Sequence, residues 1–448
     1  MRLTFYGGTG EATGANYILE SGGSKIMVDC GLHQGGHYAN SENFEPFPYD
    51  AKDVAAVFVT HSHLDHIGRL PSLTKAGFKG VIYSTRATKD FAELMLLDSE
   101  HILLQEAERE GKPPLYSNVD VERVMSLWQG LDYHKPVSVG GFNVELFDAG
   151  HILGSAIIKV QAEGKTIVFS GDLGNSPAFI IKPTETVAAA DYCLIESTYG
   201  DRVHENVDQR KEMLERAIET TVHAGGTLVI PSFAMERTQD LLYTLHQLFE
   251  EGRIPRVPVF IDSPLAIKLT AVYKKHENDF NKETENIVKS GDDILNFPEL
   301  RLTLTTEQSK EINNVAPPKI VIAGSGMSNG GRILHHEIRY LPDPKNSLLF
   351  VGYQAEGTLG RAILNGAEEV TIFGEKISVR CKVINIPGYS AHADQPHLLK
   401  WLSPMRGSLK KVFVVQGDQS SSEVLMHKIE DEFAVSAEVP KIGESVEL

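Results

Sequence analysis

Four side chains of types that commonly bind metal ions lie within six residues, where positions 61–66 read His-Ser-His-Leu-Asp-His. Imidazole and carboxylate are the ligands that borderline metals such as zinc prefer. The preceding run, 54–60, is rich in β-branched residues and predicts a buried strand that ends at Thr60. His61 and His63 can therefore point the same way from an extended chain, while Asp65 and His66 turn away as the loop curls. A solvated polar loop is the alternative, but this density of ligand types favours a metal site.

Three further candidate ligands occupy the same kind of position. Asp29, His151 and Asp172 each lie at or just past the C-terminal end of a predicted strand. Taken alone, Asp29 could equally be a turn-capping residue or a functional one. A lone histidine such as His151 is more often a hydrogen-bonded polar residue than a metal ligand. Loops at one edge of a sheet can converge on one point, however. The shared placement therefore favours a ligand role for His151.

Length and composition narrow the class of protein. The chain has 448 residues, which predicts two or three domains, and its 42% hydrophobic and 23% charged content is ordinary for a soluble globular protein. The net charge of −17 argues against a protein that coats nucleic acid, although an enzyme that binds RNA in a local cleft remains compatible with it.

Features of export and membrane insertion are missing from the sequence. The three cysteines, Cys30, Cys193 and Cys381, form no CxxC pair, so neither a disulfide framework nor a thiolate metal site is expected. The N-terminus begins as a strand without the pattern of a signal peptide, and no apolar run approaches the length of a membrane span. These observations predict a cytoplasmic protein without a membrane segment.

The predicted secondary structure that must position the candidate ligands shows two different patterns along the chain. Residues 1 to about 200 alternate short strands with glycine-rich turns and contain one long predicted helix, 86–110. From about 204 to 375, strands alternate with helices, which predicts an α/β domain with a parallel sheet covered on both faces. The predicted strands of this part are 227–231, 258–262, 319–323 and 347–354, and its predicted helices are 204–222, 237–251, 265–277 and one near 330–340.

Residues typical of a metal site resume near Ser390. The segment of alternating strands and helices is therefore predicted to be a domain inserted into the first domain. The predicted division is therefore 1–203 and 376–448 for the outer domain and 204–375 for the insert. Within the insert, the polar stretch 278–314 has weak periodicity.

The HxHxDH motif at 61–66, followed in order by His151 and Asp172 and preceded by Asp29, resembles the metallo-β-lactamase superfamily. Glu196 within 194–200 and the segment 389–394 resemble two additional motifs of its β-CASP branch. The glycine-rich segments 324–332 and 352–361 are also typical of that branch. The chain is most similar to ribonucleases related to the pre-mRNA 3′-end cleavage endonuclease. The resemblance implies an αββα metallo-β-lactamase sandwich interrupted by a parallel-sheet β-CASP domain, with the active site in the cleft between them.

The resemblance also implies two zinc ions and a ligand set. The ligands would be His61, His63 and His151 for the first ion, Asp65 and His66 for the second, and Asp172 bridging both. Asp29 would orient one of these ligands by hydrogen bonding, as metal-bound imidazoles usually require. A hydroxide activated by the metals would attack an RNA phosphodiester, with Asp65 contributing to catalysis.

Two further groups of residues receive roles from the resemblance. His392 would be the general acid for the leaving oxygen, held by Glu196; a buried hydrogen-bonded pair is the plain alternative. A second group would hold the RNA backbone without reading its sequence. Its members are Arg237, Ser325, Gly326, Arg332 and Arg361.

One position departs from the family pattern. After the strand 412–415 the family has a histidine that completes the second zinc site, and here the residue is Gln416. A neutral amide is a poorer zinc ligand than imidazole. Three interpretations stay open: a weak second metal with Asp418 or water filling the gap, an altered metal preference such as Mn²⁺, or a chain of reduced activity.

The predicted function is a zinc-dependent ribonuclease. The alternatives from other classes are a hydrolase of small esters or thioesters and a non-catalytic scaffold, the latter favoured only by Gln416. A DNA-directed nuclease of the same branch is a nearer alternative. The sequence leaves three questions open: whether cleavage is endonucleolytic or 5′→3′ exonucleolytic, which RNA sequences are preferred, and whether the chain forms a homodimer.

Overall fold

The computed structural model describes residues 1–34, 41–204 and 209–448. The chain forms two compact units, here called unit 1 (Met1–Val203 with His392–Leu448) and unit 2 (His204–Ala391). The sequence pattern predicts the second boundary at 375, but strand Lys382–Asn385 pairs with Ser347–Phe350 in the sheet of unit 2. The chain therefore returns to unit 1 only at His392.

The first of two seven-stranded sheets in unit 1 contains the N-terminal strands. Its members are β1 (Arg2–Gly7), β2 (Asn16–Ser21), β3 (Ser24–Val28), β4 (Val54–Phe58), β5 (Val81–Thr85), β6 (Trp128–Leu131) and β22 (Ser445–Glu447). Their order is β22-β1-β2-β3-β4-β5-β6. Strands β3 to β6 are parallel to one another, whereas β22, β1, β2 and β3 are antiparallel to their neighbours in that order.

The second sheet of unit 1 combines strands that precede unit 2 in the sequence with strands that follow it. Its members are β7 (Val137–Val139), β8 (Phe142–Asp148), β9 (Ala156–Ala162), β10 (Lys165–Phe169), β11 (Tyr192–Glu196), β20 (Lys411–Val415) and β21 (Ser436–Glu438). Their order is β21-β20-β11-β10-β9-β8-β7.

Helices cover the outer faces of both sheets. On the first sheet they are α1 (Leu64–Ile67), α2 (Leu70–Lys75), α3 (Arg86–Glu110) and α4 (Asn118–Leu127), and on the second α12 (Gln395–Leu402) and α13 (Gln419–Phe433). Side chains of β2 alternate between two cores: Tyr17 and Leu19 pack between the sheets, and Ile18 packs against the helices. Both faces of such strands are buried, so their sequences are continuously apolar. These four layers confirm the predicted αββα sandwich.

Unit 2 is built on a six-stranded sheet in which every pairing is parallel. Its strands are β12 (Thr227–Pro231), β13 (Val259–Asp262), β14 (Leu300–Leu302), β15 (Lys319–Ala323), β16 (Ser347–Phe350) and β19 (Lys382–Asn385), in the order β14-β13-β15-β12-β16-β19. A separate hairpin pairs β17 (Glu369–Ile372) with β18 (Glu375–Ser378). All residues of β12, β13, β15 and β16 are buried, as strands covered on both faces require.

The described helices of unit 2 are α5 (Arg210–His223), α6 (Arg237–Glu250), α7 (Pro264–Lys275), α8 (Lys282–Lys289), α9 (Thr306–Glu311), α10 (Ile333–Tyr340) and α11 (Leu359–Leu364). Of these, α5, α6, α7 and α10 lie close to the four predicted helices. The helix predicted over 204–222 begins at Arg210 in the described chain, and 205–208 lie outside the described residues. The weakly periodic stretch 278–314 contains α8, β14 and α9, which are too short to give a clear period.

Two expectations about the chain as a whole concern its thiols and its hydrophobic segments. All three cysteines are buried free thiols, so the described structure contains no disulfide. Throughout the described ranges, no helix combines the length and the hydrophobicity that a bilayer span would need.

Close backbone approach brings the strand ends of unit 1 together. The loop after β3 runs beside the turn that carries the ligand motif, with the Cys30 and Leu32 N–H groups donating to the carbonyls of His66 (2.8 Å) and Leu64 (2.9 Å). Gly31 lies between them, and a Cβ atom built there would be 1.5 Å from the carbonyl oxygen of Asp65. Only glycine permits this approach, which fixes Asp29 beside the 61–66 motif.

We predict that Gly31→Ala lowers the free energy of unfolding of unit 1 by about 3 kcal/mol or more, because the methyl group must displace backbone. Both tryptophans, Trp128 and Trp401, lie in unit 1, so their fluorescence during denaturation follows this unit. The control is Gly407→Ala, where an added Cβ meets no atom within 4 Å. Equal unfolding curves for the two variants would contradict the packing described for Gly31.

Candidate metal centre

Four ligand atoms from three strand ends of unit 1 face one another. His61 and His63 follow β4, His151 follows β8 and Asp172 follows β10. The Nε2 atom of His61 lies 3.0 Å from Nδ1 of His63 and 3.4 Å from Oδ2 of Asp172. His151 Nε2 lies 3.3 Å from the same His63 nitrogen and 3.6 Å from the same Asp172 oxygen. All four atoms lie within 4.8 Å of one another.

This spacing fits a shared cation better than a network of hydrogen bonds. Ligand atoms about 2.1 Å from one ion lie about 3.4 Å apart at tetrahedral angles and about 3.0 Å apart at octahedral angles. Burial lowers the pKa of both His63 and His151 well below the usual value, so these rings are neutral and offer lone pairs. Oδ1 of Asp172 is buried and has no hydrogen-bond partner in the described structure. The donor set therefore suits a divalent metal.

A second set of ligand atoms adjoins the first through Asp172. His66 Nε2 lies 3.5 Å from Oδ1 of Asp172 and 3.8 Å from Oδ2 of Asp65. Asp172 thus presents one carboxylate oxygen to each set, as a bridging ligand would. Burial opposes ionisation of Asp172, but the neighbouring His66 and His61 outweigh it and hold the pKa of this carboxyl well below its usual range.

Asp29 holds the second set in place. Its backbone adopts a left-handed conformation (φ 58°), which turns the carboxylate back toward the sheet edge. There it accepts hydrogen bonds from the Thr60 N–H and hydroxyl, both at 2.7 Å, and lies 2.7 Å from Nδ1 of His66. With Nδ1 committed to Asp29, the other ring nitrogen of His66 is directed at Asp65 and Asp172.

The side-chain amide of Gln416 hydrogen-bonds to Nε2 of His66, the ring nitrogen that would otherwise bind a metal ion. Its side-chain Nε2 lies 2.7 Å from Nε2 of His66. That separation is a hydrogen-bond distance and is shorter than the spacing of two ligands on one ion. Gln416 follows β20 with a left-handed backbone (φ 49°), and its N–H donates to the Gly8 carbonyl at 2.7 Å. The second ligand set is therefore linked to a neutral hydrogen-bonding group in place of a third charged or imidazole ligand.

A histidine–carboxylate pair lies on the other side of Asp172. Nδ1 of His392 is 3.3 Å from Oε2 of Glu196 and 3.8 Å from Oδ2 of Asp172. Glu196 is fully buried at the end of β11 and accepts the Leu173 N–H at 2.6 Å. Burial opposes protonation of His392, but Glu196 and Asp172 outweigh it and raise the pKa of His392 to about 9. The ring therefore carries a proton at neutral pH and lies within reach of the ligand cluster.

In unit 2, Arg332 is engaged internally. Its guanidinium donates to the Asp262 carboxylate at 2.7 Å and to the carbonyls of Thr303 and Leu304 at 3.0 Å. Asp262 is fully buried and also contacts His336 Nε2 at 2.7 Å. Three of the five N–H donors of Arg332 are therefore engaged within unit 2, and its RNA-contact role stays a prediction.

The other predicted RNA contacts differ in availability. Arg237 is 7% exposed and its Nη2 lies 3.4 Å from Glu236, so it is buried beside a carboxylate. The Ser325 N–H donates to the Gly330 carbonyl at 3.1 Å, and Gly326 packs under the Phe233 ring. Arg361 is partly exposed, and its Nε has no hydrogen-bond partner among the described residues. Of the five predicted contacts, Arg361 is the most available cation.

Two supporting residues were not predicted from the sequence. Thr60 ties Asp29 to the motif through both its N–H and its hydroxyl. Tyr199 packs edge-on against His392, with ring centroids 5.9 Å apart. The position of Thr60 directly before the ligand motif could have indicated its role. Tyr199 contacts a residue almost two hundred positions away, so no local sequence pattern indicated that contact.

Comparisons with known proteins agree with this geometry. The chain matches the metallo-beta-lactamase superfamily over residues 10–192, the Beta-Casp domain over 238–363, and a family described as a Zn-dependent metallo-hydrolase RNA specificity domain over 376–440. A ribonuclease of Thermus thermophilus is 38% identical, with 94% of each chain covered.

Two relatives from Methanocaldococcus jannaschii are more distant. An RNase J-like protein is 32% identical over 94% of this chain and 93% of its own, and a transcription termination factor, FttA, is 30% identical over 94% of this chain and 67% of its own. A crystal structure of a protein of unknown function from Enterococcus faecalis shares the fold, with a TM-score of 0.57, 13% identity and 99% of each chain covered.

We predict that Gln416→His increases the affinity for a second metal ion, because imidazole replaces an amide beside His66. Zinc bound per chain after dialysis against a weak chelator measures the effect. The matched control is Gln416→Leu, which removes the hydrogen bond to His66 without adding a ligand. A Gln416→His variant that binds no more zinc than the unaltered chain and Gln416→Leu would contradict the weakness ascribed to the second ligand set.

Proposed function

The chain belongs to the β-CASP branch of the metallo-β-lactamase superfamily, and from this we propose that it is a zinc-dependent ribonuclease that hydrolyses RNA phosphodiester bonds. Members of this superfamily are metallo-hydrolases, and the chain matches both the superfamily and its β-CASP domain. The observation that carries the proposal is the set of four buried ligand atoms within 4.8 Å of one another beside the His392–Glu196 pair.

The proposed metal site uses His61, His63, His151 and Asp172 for the first ion. A divalent ion bound there supplies a Lewis acid that polarises a phosphate oxygen and brings the pKa of water to about 7. The chain's own residues do the remaining work. Asp172 keeps one carboxylate oxygen on each ligand set, and Asp29 fixes the orientation of His66.

His392 is proposed to donate the proton that the leaving oxygen of the RNA needs. Its ring lies beside that of His151, with centroids 4.6 Å apart, so it borders the ligand cluster. The Glu196 carboxylate beside Nδ1 favours the protonated ring and fixes its orientation. The Leu173 N–H in turn donates to Glu196 and holds that carboxylate beside the ring.

The second ligand set, Asp65 and His66 with Asp172, is proposed to bind a second zinc weakly, because Gln416 engages His66. Mn²⁺ is an alternative native metal, since carboxylate-rich sets suit it. The hydrogen bond of Gln416 also favours one second candidate function, a non-catalytic or weakly active β-CASP scaffold. Stoichiometric zinc together with efficient RNA cleavage would exclude that candidate.

RNA is proposed as the substrate because the C-terminal part of the chain matches an RNA specificity domain and because a similar protein is named a ribonuclease. A net charge of −17 makes general attraction to RNA unfavourable. Binding is therefore proposed to depend on the metal ions and on a few cations such as Arg361.

Cleavage of RNA and DNA of one sequence, each labelled at either end, tests the substrate and the mode of attack together. We expect zinc-dependent cleavage of RNA. Internal products from both labels indicate an endonuclease, whereas progressive release from the 5′ end indicates an exonuclease. A chromogenic lactam and a thioester are assayed in parallel. Turnover of these compounds without cleavage of RNA would contradict the proposal.

We predict that His392→Gln lowers the rate of RNA cleavage by about 10² to 10⁴, the usual contribution of a general acid, while zinc content stays unchanged. The matched control is His397→Gln. His397 belongs to the same segment and forms its own pair with Asp394 at 2.6 Å, but it lies on α12 and has no proposed role. Equal rates for His392→Gln and the unaltered chain would remove His392 from the proposal.

For RNA binding, we predict that Arg361→Ala weakens the affinity and lowers the salt slope by about 0.7, the value for one phosphate contact with single-stranded RNA. An RNA analogue that resists hydrolysis is used with metal-loaded protein so that cleavage does not interfere. The control is Arg380→Ala, an exposed arginine of the same unit. Unchanged affinity and slope in Arg361→Ala would refute the contact. Arg332→Ala should instead lower the stability of unit 2, because it leaves Asp262 buried without its arginine partner.

A further inference from the structure

A second cluster of metal-ligand side chains lies in unit 1, apart from the residues assigned above. It consists of Glu11, His33 and Glu42, which offer three ligand atoms within 4.8 Å of one another. Nδ1 of His33 lies 3.1 Å from Oε1 of Glu11 and 3.4 Å from Oε2 of Glu42. Both distances fall within the range of 3.0 to 3.6 Å found between neighbouring ligand atoms of the first set.

The central histidine is held rigidly. Its N–H donates to the Asn43 side-chain oxygen at 2.9 Å, and the Asn43 amide donates back to its carbonyl at 2.8 Å. The imidazole lies flat against Gly14, where an added Cβ would be 2.6 Å from Nδ1. His33 is only 7% exposed, so neither its backbone nor its ring is free to reorient. The nitrogen that faces the two carboxylates is therefore fixed in direction.

Hydrogen bonding does not account for this arrangement. Nδ1 of His33 and Oε1 of Glu11 are both buried, and neither has a hydrogen-bond partner among the residues that the structure describes. The ring nitrogen is within reach of two carboxylates but directs its bond at neither. A proton on that nitrogen can serve one direction only. A cation placed between the three atoms would satisfy all of them, and buried polar atoms are normally satisfied.

From this geometry we propose that Glu11, His33 and Glu42 form an additional binding site for a divalent transition metal such as Zn²⁺. One imidazole and two carboxylates suit zinc or manganese. The side chains of Glu11 and Glu42 are 30% and 32% exposed, so an ion can enter from solvent and keep water as its remaining ligands. This inference does not depend on the proposed ribonuclease function.

The site would tie together three segments, one of which is linked through Gln416 to His66 of the second ligand set. Glu11 lies in the loop after β1, and Gly8 of the same loop accepts the Gln416 N–H. An ion on Glu11 would therefore brace the segment that supports the backbone of Gln416. The proposed role is structural, because none of the three ligands belongs to the catalytic set.

The test counts zinc bound to the full chain by elemental analysis after equilibrium dialysis. The variants are His33→Gln and Glu42→Gln, and the matched control is His427→Gln, an exposed histidine 3.8 Å from Glu430. We expect both variants to bind one zinc fewer than the unaltered chain and the control to bind the same number. Combining Glu42→Gln with His63→Gln should give additive losses, because the two sites are separate.

Glu42 is partly exposed, so Glu42→Gln is expected to fold even where a change at buried His33 does not, and circular dichroism verifies this. Cobalt substitution gives an independent readout, since visible absorption bands report the ligand set. A normally folded Glu42→Gln that binds as much zinc as the unaltered chain, with the same cobalt spectrum, would overturn the proposed site. RNA cleavage is measured separately, so loss of activity does not enter this comparison.

Discussion

A cluster of buried nitrogen and oxygen atoms whose spacing suits a shared cation is the one physical constraint on which the interpretation of unit 1 depends. His63 and His151 are neutral because burial depresses the pKa of each ring, and Asp172 is ionised. Their ligand atoms nevertheless lie within 4.8 Å of one another together with His61. Unsatisfied buried polar atoms typically cost about 1–3 kcal/mol each, and a divalent ion bound at this cluster would offset that cost.

The scaffold that holds these atoms is built from ends of strands. In the αββα sandwich β4, β8 and β10 each pack side chains into the core between the two sheets, and the candidate ligands follow shortly after each strand ends. Fine adjustment comes from local backbone devices: the left-handed Asp29, the close approach at Gly31 and the hydrogen bonds of Thr60. The ligands are therefore preorganised by the core, and the loops contribute little freedom that metal binding would have to restrict.

Much of this arrangement was predictable because it is encoded locally. Ligand types at two-residue spacing after a β-branched run indicated the site, and the motifs containing Glu196 and His392 predicted a pair that the structure brings to 3.3 Å. The alternation of strands and helices predicted the parallel sheet of unit 2. Strand β19 was not predicted, because Lys382–Asn385 is short and only partly buried and so lacks a clear apolar pattern.

Contacts between residues that are distant in the sequence were harder to predict. Arg332 was interpreted as a phosphate ligand because it follows a glycine-rich turn, but its partner Asp262 is 70 positions away and nothing local announces it. Gln416 was identified as a departure from the family pattern, whereas its bond to His66 depends on tertiary structure. The cluster of Glu11, His33 and Glu42 likewise combines residues from separate loops, and no spacing rule would have found it.

The central claim is that the first ligand set exists to hold a divalent ion, and anomalous X-ray diffraction from crystals of the zinc-loaded chain, recorded at the zinc edge, tests it most directly. The account predicts an anomalous peak equidistant from Nε2 of His61, Nδ1 of His63, Nε2 of His151 and Oδ2 of Asp172. The absence of a peak between these atoms, in protein that still cleaves RNA, would contradict it.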